Sequence, residues 1–204
     1  MNSIILASAS PRRKKLLQQI NLPFQVHPST VDETFSPQLK ADQIVQQLAL
    51  RKAKDVAAQF KDALIIGADT IVAFEDEILT KPEDSQDAKN MLGRLSGQTH
   101  QVYTGVGLCK VDSQNNITES TSFFERTEVT FGSLNPEDID AYAASGSPLD
   151  KAGAYGIQDD FGAIFVKGIE GDFYNVMGFP LHSFYEIMHS FAPECLSKGK
   201  ELND

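Results

Sequence analysis

The most informative stretch of the chain is Ile4-Ile5-Leu6-Ala7-Ser8-Ala9-Ser10-Pro11-Arg12-Arg13. Its apolar start predicts a buried strand, and Leu16 and Leu17 continue behind it at helical spacing. The stretch therefore joins a strand to a helix. Ser10 suits the N-cap of that helix, and Pro11 suits its first position, where a missing N–H costs nothing.

Two arginines, Arg12 and Arg13, stand in the first turn of this predicted helix. A cation there opposes the helix dipole at a cost of about 0.3–1 kcal/mol. Free backbone N–H groups of the same turn attract anions, so a phosphate would complete the site. The alternative is a capped helix that carries two solvated arginines.

The bulk composition describes an ordinary globular domain. The chain has 204 residues, of which 41% are hydrophobic and 23% charged, and its formal net charge is −10. This negative charge argues against partners such as nucleic acid or an acidic membrane surface, although a small polyanion can still bind beside local cations.

The sequence predicts a cytoplasmic protein. No segment has the roughly 20 apolar residues that span a bilayer, and the N-terminal apolar stretch is too short for a signal peptide. Two distant cysteines, Cys109 and Cys195, indicate a reducing compartment and no zinc site, although the two could still pair.

Strands and helices alternate along the rest of the chain. The pattern predicts a long amphipathic helix over 39–60, a buried strand from Ala63 that ends at Ala68-Asp69-Thr70 and continues to Phe74, and two long strands in the middle. Shorter predicted elements are a strand at 24–27, helices at 84–94 and from Asn135 to Gly146, a strand at 163–167 and a last helix from Pro180. This order favours an α/β fold with a mixed sheet.

Asp69 is the first candidate for chemistry because it lies at the end of an apolar strand, where α/β sheets open into ligand crevices. A carboxylate there can hold Mg²⁺ or orient a water molecule. The alternative is a solvated turn residue. Glu33 lies in a polar loop beside Asp32, and such a pair is usually solvated surface.

Lys52 is the second candidate. Counting by fours from Ile44 through Leu48 places it on the apolar stripe of the long helix. A lysine there either snorkels outward or points toward an anion. Arg51 and Lys54 fall on more polar faces and are predicted to be surface residues.

Two loops complete the candidates. Lys81 precedes Pro82, which holds the lysine extended. In the loop 150–158, Tyr155 can pack against a base and the Gln158 amide can read a base edge. The alternative is that this loop is structural and that its glycines only make turns. Outside both loops, His100 is predicted to be a structural strand residue.

Six segments together resemble the Maf family of nucleoside triphosphate pyrophosphatases, in the same order from Ser8 to about Leu181. They are Ser8-Ala9-Ser10-Pro11-Arg12-Arg13, Gly67-Ala68-Asp69-Thr70, Lys81-Pro82, Leu95-Ser96-Gly97, Asp150-Lys151-Ala152-Gly153 and Asn175-Val176-Met177-Gly178-Phe179-Pro180. The resemblance implies an α/β fold of two lobes around an elongated mixed sheet with a central cleft, related to the inosine triphosphate pyrophosphatases. It implies one two-lobed domain over 1–196 and is compatible with a homodimer. The composition of the C-terminal end separately predicts a polar tail over 197–204.

The resemblance also implies a reaction and a site. The family hydrolyses the α–β phosphoanhydride of a nucleoside triphosphate with Mg²⁺ or Mn²⁺, a house-cleaning activity. Its general base matches Asp69, and its phosphate and metal sites match the residues Ser8, Arg12, Arg13, Glu33, Lys52 and Lys81. Asp69, Lys52 and Lys81 are the expected catalytic residues, and Asp69 and Glu33 the expected metal ligands.

The base preference is implied by three positions. The branch of the family that acts on dTTP and UTP carries Arg, Thr and Gln at positions that match Arg12, Thr70 and Gln158. Two alternatives stay open. One is a relative directed at 7-methyl-GTP or purines, and the other is a nucleotide-binding regulator of cell division and septum formation.

Overall fold

The N-terminal half of the chain alternates strands and helices in the computed structural model, which describes residues 3–197. Its elements are β1 (Ser3–Leu6), α1 (Pro11–Gln19), β2 (Gln25–Val26), α2 (Ala41–Ala57), β3 (Ala63–Phe74), β4 (Glu77–Leu79) and α3 (Ser85–Leu95). Apart from the short strand β4, each of these elements matches a predicted one, with ends that differ by a few residues.

The C-terminal half begins with the two predicted long strands. They are followed by shorter elements: β5 (Thr99–Val111), β6 (Ile117–Phe131), α4 (Pro136–Ala144), α5 (Asp160–Phe165), β7 (Val166–Glu170), α6 (Phe173–Val176), α7 (Leu181–Phe191) and α8 (Pro193–Ser197). Two short 3₁₀ turns, Ser147–Asp150 and Ala152–Ala154, lie between α4 and α5.

The strands form a mixed seven-stranded sheet in the order β2-β1-β3-β5-β6-β7, with β4 paired to β3. β1 runs parallel to β2 and to the start of β3, where Leu6 pairs with Ile66. β4 and β7 run antiparallel to β3 and β6. The predicted α/β class with a mixed sheet is confirmed.

The chain divides into two compact units. The first contains Met1–Asp69, Thr104–Glu125 and Gly178–Asp204, and the second contains Thr70–Tyr103 and Arg126–Met177. The predicted division into a two-lobed domain over 1–196 and a tail stays a prediction, and residues 198–204 lie outside the described residues.

In the first unit, helix α2 lies unusually close to the strands beneath it. A Cβ placed on Gly67 would be 2.2 Å from the Ala49 carbonyl oxygen and 2.7 Å from the Ala53 nitrogen. Gly105 and Gly107 leave as little room against the same helix, with the nearest backbone atoms at 2.3 Å and 2.6 Å. Glycine at these strand positions allows the backbone of α2 to approach the sheet.

In the second unit, an aromatic cluster surrounds a buried histidine. His100 is fully buried, its Nε2 lies 2.8 Å from the Tyr155 hydroxyl, and both rings pack edge-on against Phe131. His100 is thus a structural strand residue. Burial lowers its pKa from 6.5 to about 4.

This histidine makes stability depend on pH. Between pH values of about 4 and 6.5 the unfolded chain binds the proton that folded His100 rejects, so stability falls as the pH falls through this window. We expect the His100 contribution to the free energy of unfolding to drop by about 2 kcal/mol between pH 7 and pH 5. Urea unfolding of the wild type and of His100→Gln at both pH values isolates this term, because glutamine does not titrate. Equal pH dependence in the two proteins would contradict the assignment.

One predicted strand is wrong at its start. The apolar run 163–165 was expected to begin a strand, but Ala163 and Phe165 belong to helix α5, and β7 begins only at Val166. Gly162 lies in this helix close to the preceding loop, where a Cβ would be 2.3 Å from the Gly156 carbonyl oxygen.

Cys109 and Cys195 are both buried and do not form a disulfide. Within residues 3–197, no helix has the length and apolar character needed to cross a membrane.

Candidate active site

The junction between β1 and α1 adopts the predicted capped geometry. Ser10 is the N-cap, its Oγ accepts a hydrogen bond from the Arg13 backbone N–H at 3.4 Å, and Pro11 occupies the first helical position. Ser8 is buried directly before this cap, and its Oγ accepts from the Ser10 N–H at 3.2 Å. The capping pattern read from the sequence is confirmed.

Arg13 is not a freely solvated side chain. Its Nε donates to the Gly178 carbonyl oxygen at 2.9 Å, and its Nη1 donates to the Ser8 Oγ at 3.2 Å. Gly178 has a φ of +106°, a conformation that side-chain-bearing residues avoid. The segment from Asn175 to Pro180, which the sequence analysis singled out, therefore supplies a carbonyl oxygen that holds Arg13.

Three nearby charges act on the Arg13 guanidinium. Desolvation by burial lowers its pKa most, and the positive charge of Arg12 lowers it further. The negative charges of Asp69 and Glu33 raise the pKa and so oppose these two effects. Arg13 keeps its positive charge at neutral pH, since an arginine starts from a very high pKa. The arginine pair and the two carboxylates thus share one electrostatic environment.

Lys52 joins the two predicted acids. Its side chain is 10% exposed, and its Nζ lies 2.6 Å from the Asp69 Oδ1 and 2.6 Å from the Glu33 Oε1. Of the two alternatives for this lysine, the structure shows the inward one. Two carboxylates therefore converge on one ammonium.

The sequence placed Asp69 at the end of a strand, and this prediction is wrong. Asp69 is buried in the middle of β3, between the stretch paired in parallel with β1, which ends at Ile66, and the stretch paired antiparallel with β4, which begins at Val72. The apolar residues after Asp69 extend the strand past it. The Asp69 carboxylate therefore lies where β3 stops pairing with β1 and before it starts pairing with β4.

The loop that carries Glu33 is held by Arg51, a residue that the sequence assigned to the surface. The Arg51 Nη1 donates to the carbonyl oxygens of Asp32 and Thr34, each at 2.9 Å, on either side of Glu33. Asp55, one turn further along α2, accepts hydrogen bonds from Ser29 and Thr30. Helix α2 thus supplies Lys52 and also positions its second acid partner.

We expect Arg51→Met to lower kcat/KM about tenfold for the nucleoside triphosphate hydrolysis that the resemblance implies, because Glu33 loses its fixed position while the apolar stem of residue 51 remains. Steady-state kinetics on the purified variant would measure this. Lys54→Met removes a cation from the same helix at an exposed position and should change kcat/KM less than about twofold. Equal losses in the two variants would contradict a positioning role for Arg51.

The other predicted site residues belong to the second unit. Thr70 is half-buried in β3, Lys81 is exposed after β4, and Gln158 is half-buried beyond the second 3₁₀ turn. For Tyr155 the sequence left two alternatives, packing against a base or belonging to a structural loop, and the structure shows it 5% exposed and held in the core by His100. It is unavailable as a stacking platform because the aromatic cluster encloses it.

Comparisons with known proteins identify the family. The family model described as "Maf-like protein" matches residues 3–191. A protein of Bacillus cereus named dTTP/UTP pyrophosphatase is 49% identical over 191 residues, covering 94% of this chain and 96% of its own. A protein of the same name from Bacillus cytotoxicus is 50% identical over the same shares. The chain therefore belongs to the Maf family.

A solved structure from Mycobacterium abscessus, named nucleoside-triphosphatase / dITP/XTP pyrophosphatase, is a distant neighbour. It is 13% identical, covers 65% of this chain and 75% of its own, and has a TM-score of 0.39. Similarity at this level adds nothing to the assignment.

Proposed function

We propose that this chain hydrolyses dTTP and UTP to the nucleoside monophosphate and pyrophosphate. The observation that carries the proposal is the buried Lys52 ammonium held between Asp69 and Glu33, in a chain 49% identical to a dTTP/UTP pyrophosphatase. The base preference is supported by Arg12, Thr70 and Gln158, which match the branch of the family that acts on these two nucleotides.

Phosphate binding follows from the charges in the first unit. Three cations, Arg12, Arg13 and Lys52, accompany the two carboxylates, so the group has an excess of one positive charge in a chain whose net charge is −10. A triphosphate needs such cations because negative charge is spread over its oxygens in the transition state. Arg13 binds both the Ser8 hydroxyl and the Gly178 carbonyl oxygen, so Ser8 and Arg13 are proposed to provide rigid donors.

Asp69 is the proposed general base. Its Oδ1 lies on the Lys52 ammonium, so the orientation of the carboxylate is fixed and the second oxygen, Oδ2, can accept a proton from water. The water oxygen forms a bond to the α-phosphorus as the bond from that phosphorus to the bridging oxygen breaks, pyrophosphate leaves with the bridging oxygen, and Asp69 takes up the proton that the water loses. Lys52 and Lys81 are proposed to offset the charge that develops on the phosphate oxygens.

A divalent cation fits the acid pair. Asp69 and Glu33 already converge on one cationic nitrogen, and hard carboxylate oxygens are the ligands that Mg²⁺ and Mn²⁺ take. Among the side chains that the structure describes, no group of three or more His, Cys, Asp or Glu could hold a metal, so water and phosphate oxygens would complete the shell. The cation would supply further neutralisation of the triphosphate.

The decisive experiment is pyrophosphate release by the purified protein. We would test dTTP, UTP, CTP, ATP, GTP and 7-methyl-GTP, each with Mg²⁺ and with Mn²⁺. The proposal expects the highest kcat/KM with dTTP and UTP. Preference for 7-methyl-GTP or a purine would overturn the base assignment, and nucleotide binding without pyrophosphate release would favour a regulator.

A further inference from the structure

Next to the proposed base-reading residue lies a chain of polar contacts in the second unit. The Gln158 Nε2 donates to the Asp159 Oδ2 at 2.7 Å, and the same oxygen lies 3.6 Å from the Nζ of Lys151, which is itself 7% exposed. Lys151 also donates to the Asp150 carboxylate at 2.7 Å and to the Ser147 carbonyl. A fixed cation therefore holds Asp159, and Asp159 holds Gln158.

Gly156 leaves the space in which this contact forms. A Cβ there would lie 2.8 Å from the Asp159 Oδ2, 2.9 Å from the Lys151 Cε and 3.1 Å from the Gln158 Nε2. All three side chains therefore converge over a single glycine. Such convergence rigidifies a side chain that would otherwise rotate freely.

The contact also decides which way round the Gln158 amide points. An amide has a donor end and an acceptor end of nearly equal shape, so only its partners distinguish the two orientations. The Asp159 carboxylate can only accept, so it must face the NH₂ end. The carbonyl oxygen is then the end that Gln158 offers elsewhere.

That oxygen is a buried acceptor without a protein donor. Among the described residues, no hydrogen-bond donor reaches the Gln158 Oε1, although it is excluded from solvent. A buried acceptor left unsatisfied costs about 1–3 kcal/mol. A ligand that brings an N–H group to this oxygen would recover that cost.

We propose that Asp159 is a positioning residue for base selection, and that it fixes the Gln158 amide to accept a hydrogen bond from the imide N3–H of uracil or thymine. Cytosine has an acceptor at N3 and an amino group at C4, so the fixed amide oxygen meets a lone pair instead of a hydrogen. The inference rests on the proposed function, and it adds that discrimination against cytosine comes from a residue that need not touch the base.

The first test compares kinetics on UTP and CTP. We expect Asp159→Asn to lower the ratio of kcat/KM for UTP over CTP about three- to tenfold, mainly by raising KM for UTP. Asparagine can donate as well as accept a hydrogen bond, so the Gln158 amide is free to rotate by 180°. Asp159→Glu remains an acceptor only and should keep the ratio closer to that of the wild type. A purely structural role for residue 159 would instead lower the ratio equally in both variants, and that result would overturn the proposal.

The matched control is Asp140→Asn. It makes the same charge change in the same unit at an exposed ion pair with Lys89, 2.6 Å long, and should leave the ratio unchanged. An unchanged ratio in Asp159→Asn would likewise refute the proposal.

The second test needs neither a variant nor turnover. Isothermal titration of the wild-type protein should show that UMP binds about three- to tenfold more tightly than 3-methyluridine monophosphate, which lacks the N3–H, and more tightly than CMP. Equal affinities for UMP and CMP would overturn the inference. If the wild type binds UMP selectively but releases no pyrophosphate from UTP, the proposed function fails while this inference stands.

Discussion

Asp69→Asn should lower kcat for UTP at least about 10³-fold, because asparagine keeps the shape of the side chain and loses the ability to take a proton. The fold should survive. Lys52 keeps its 2.6 Å contact with Glu33, and the asparagine oxygen can still accept from the Lys52 ammonium. Pyrophosphate release under saturating UTP measures the effect, and urea unfolding reports stability, which we expect to fall by no more than about 3 kcal/mol.

The control for this prediction is Asp42→Asn. It removes one negative charge at the first turn of helix α2, in the same unit, and should change kcat less than about twofold. Near-wild-type turnover in a folded Asp69→Asn protein would refute the assignment of Asp69 as the base.

Gly67→Ala should have the largest effect on stability. Its new Cβ would meet the Ala49 carbonyl oxygen at 2.2 Å, so either helix α2 or strand β3 must move. Overpacking of this kind costs about 3 kcal/mol, or more where the obstacle is backbone. Urea unfolding followed by circular dichroism would show a lower midpoint with an unchanged slope.

The same substitution at Gly93 should act in the opposite direction. Gly93 lies in helix α3, and within residues 3–197 no atom beyond its chain neighbours and the backbone of its own helix lies within 4 Å of an added Cβ. Alanine should therefore stabilise the protein by about 0.5–1 kcal/mol. If Gly67→Ala were as well tolerated as Gly93→Ala, the close approach of α2 to the sheet would be disproved.

The parts of the site that the sequence predicted correctly depend on local rules. The Ser10 cap and Pro11 obey helix-start preferences that involve only neighbouring residues, and the structure confirms them. The amphipathic count that placed Lys52 on the apolar stripe was also correct, but it could not choose between an inward and an outward ammonium. That choice depends on the carboxylates of Asp69 and Glu33, which are distant in sequence.

What the sequence did not reveal depends on backbone partners and on tertiary packing. Arg51 binds two carbonyl oxygens of a loop, and carbonyl groups leave no residue-type signal. Tyrosine is a residue type that can stack on a base, yet His100 and Phe131 enclose Tyr155 in the core. A short apolar run such as Ala163 to Phe165 suits a helix or a strand, and in the structure it lies in helix α5.

The ammonium of Lys52 gives the acid pair an internal counter-ion. Two carboxylates brought together without one would repel each other and weaken the folded state. Lys52 supplies a positive charge from within the chain, so a bound cation is not the sole compensation for the two carboxylates. Lys52 cancels one of the two negative charges, and Arg12 and Arg13 bring the whole group to a net charge of +1. A divalent cation proposed to bind Asp69 and Glu33 should therefore bind more tightly when a triphosphate brings negative charge with it.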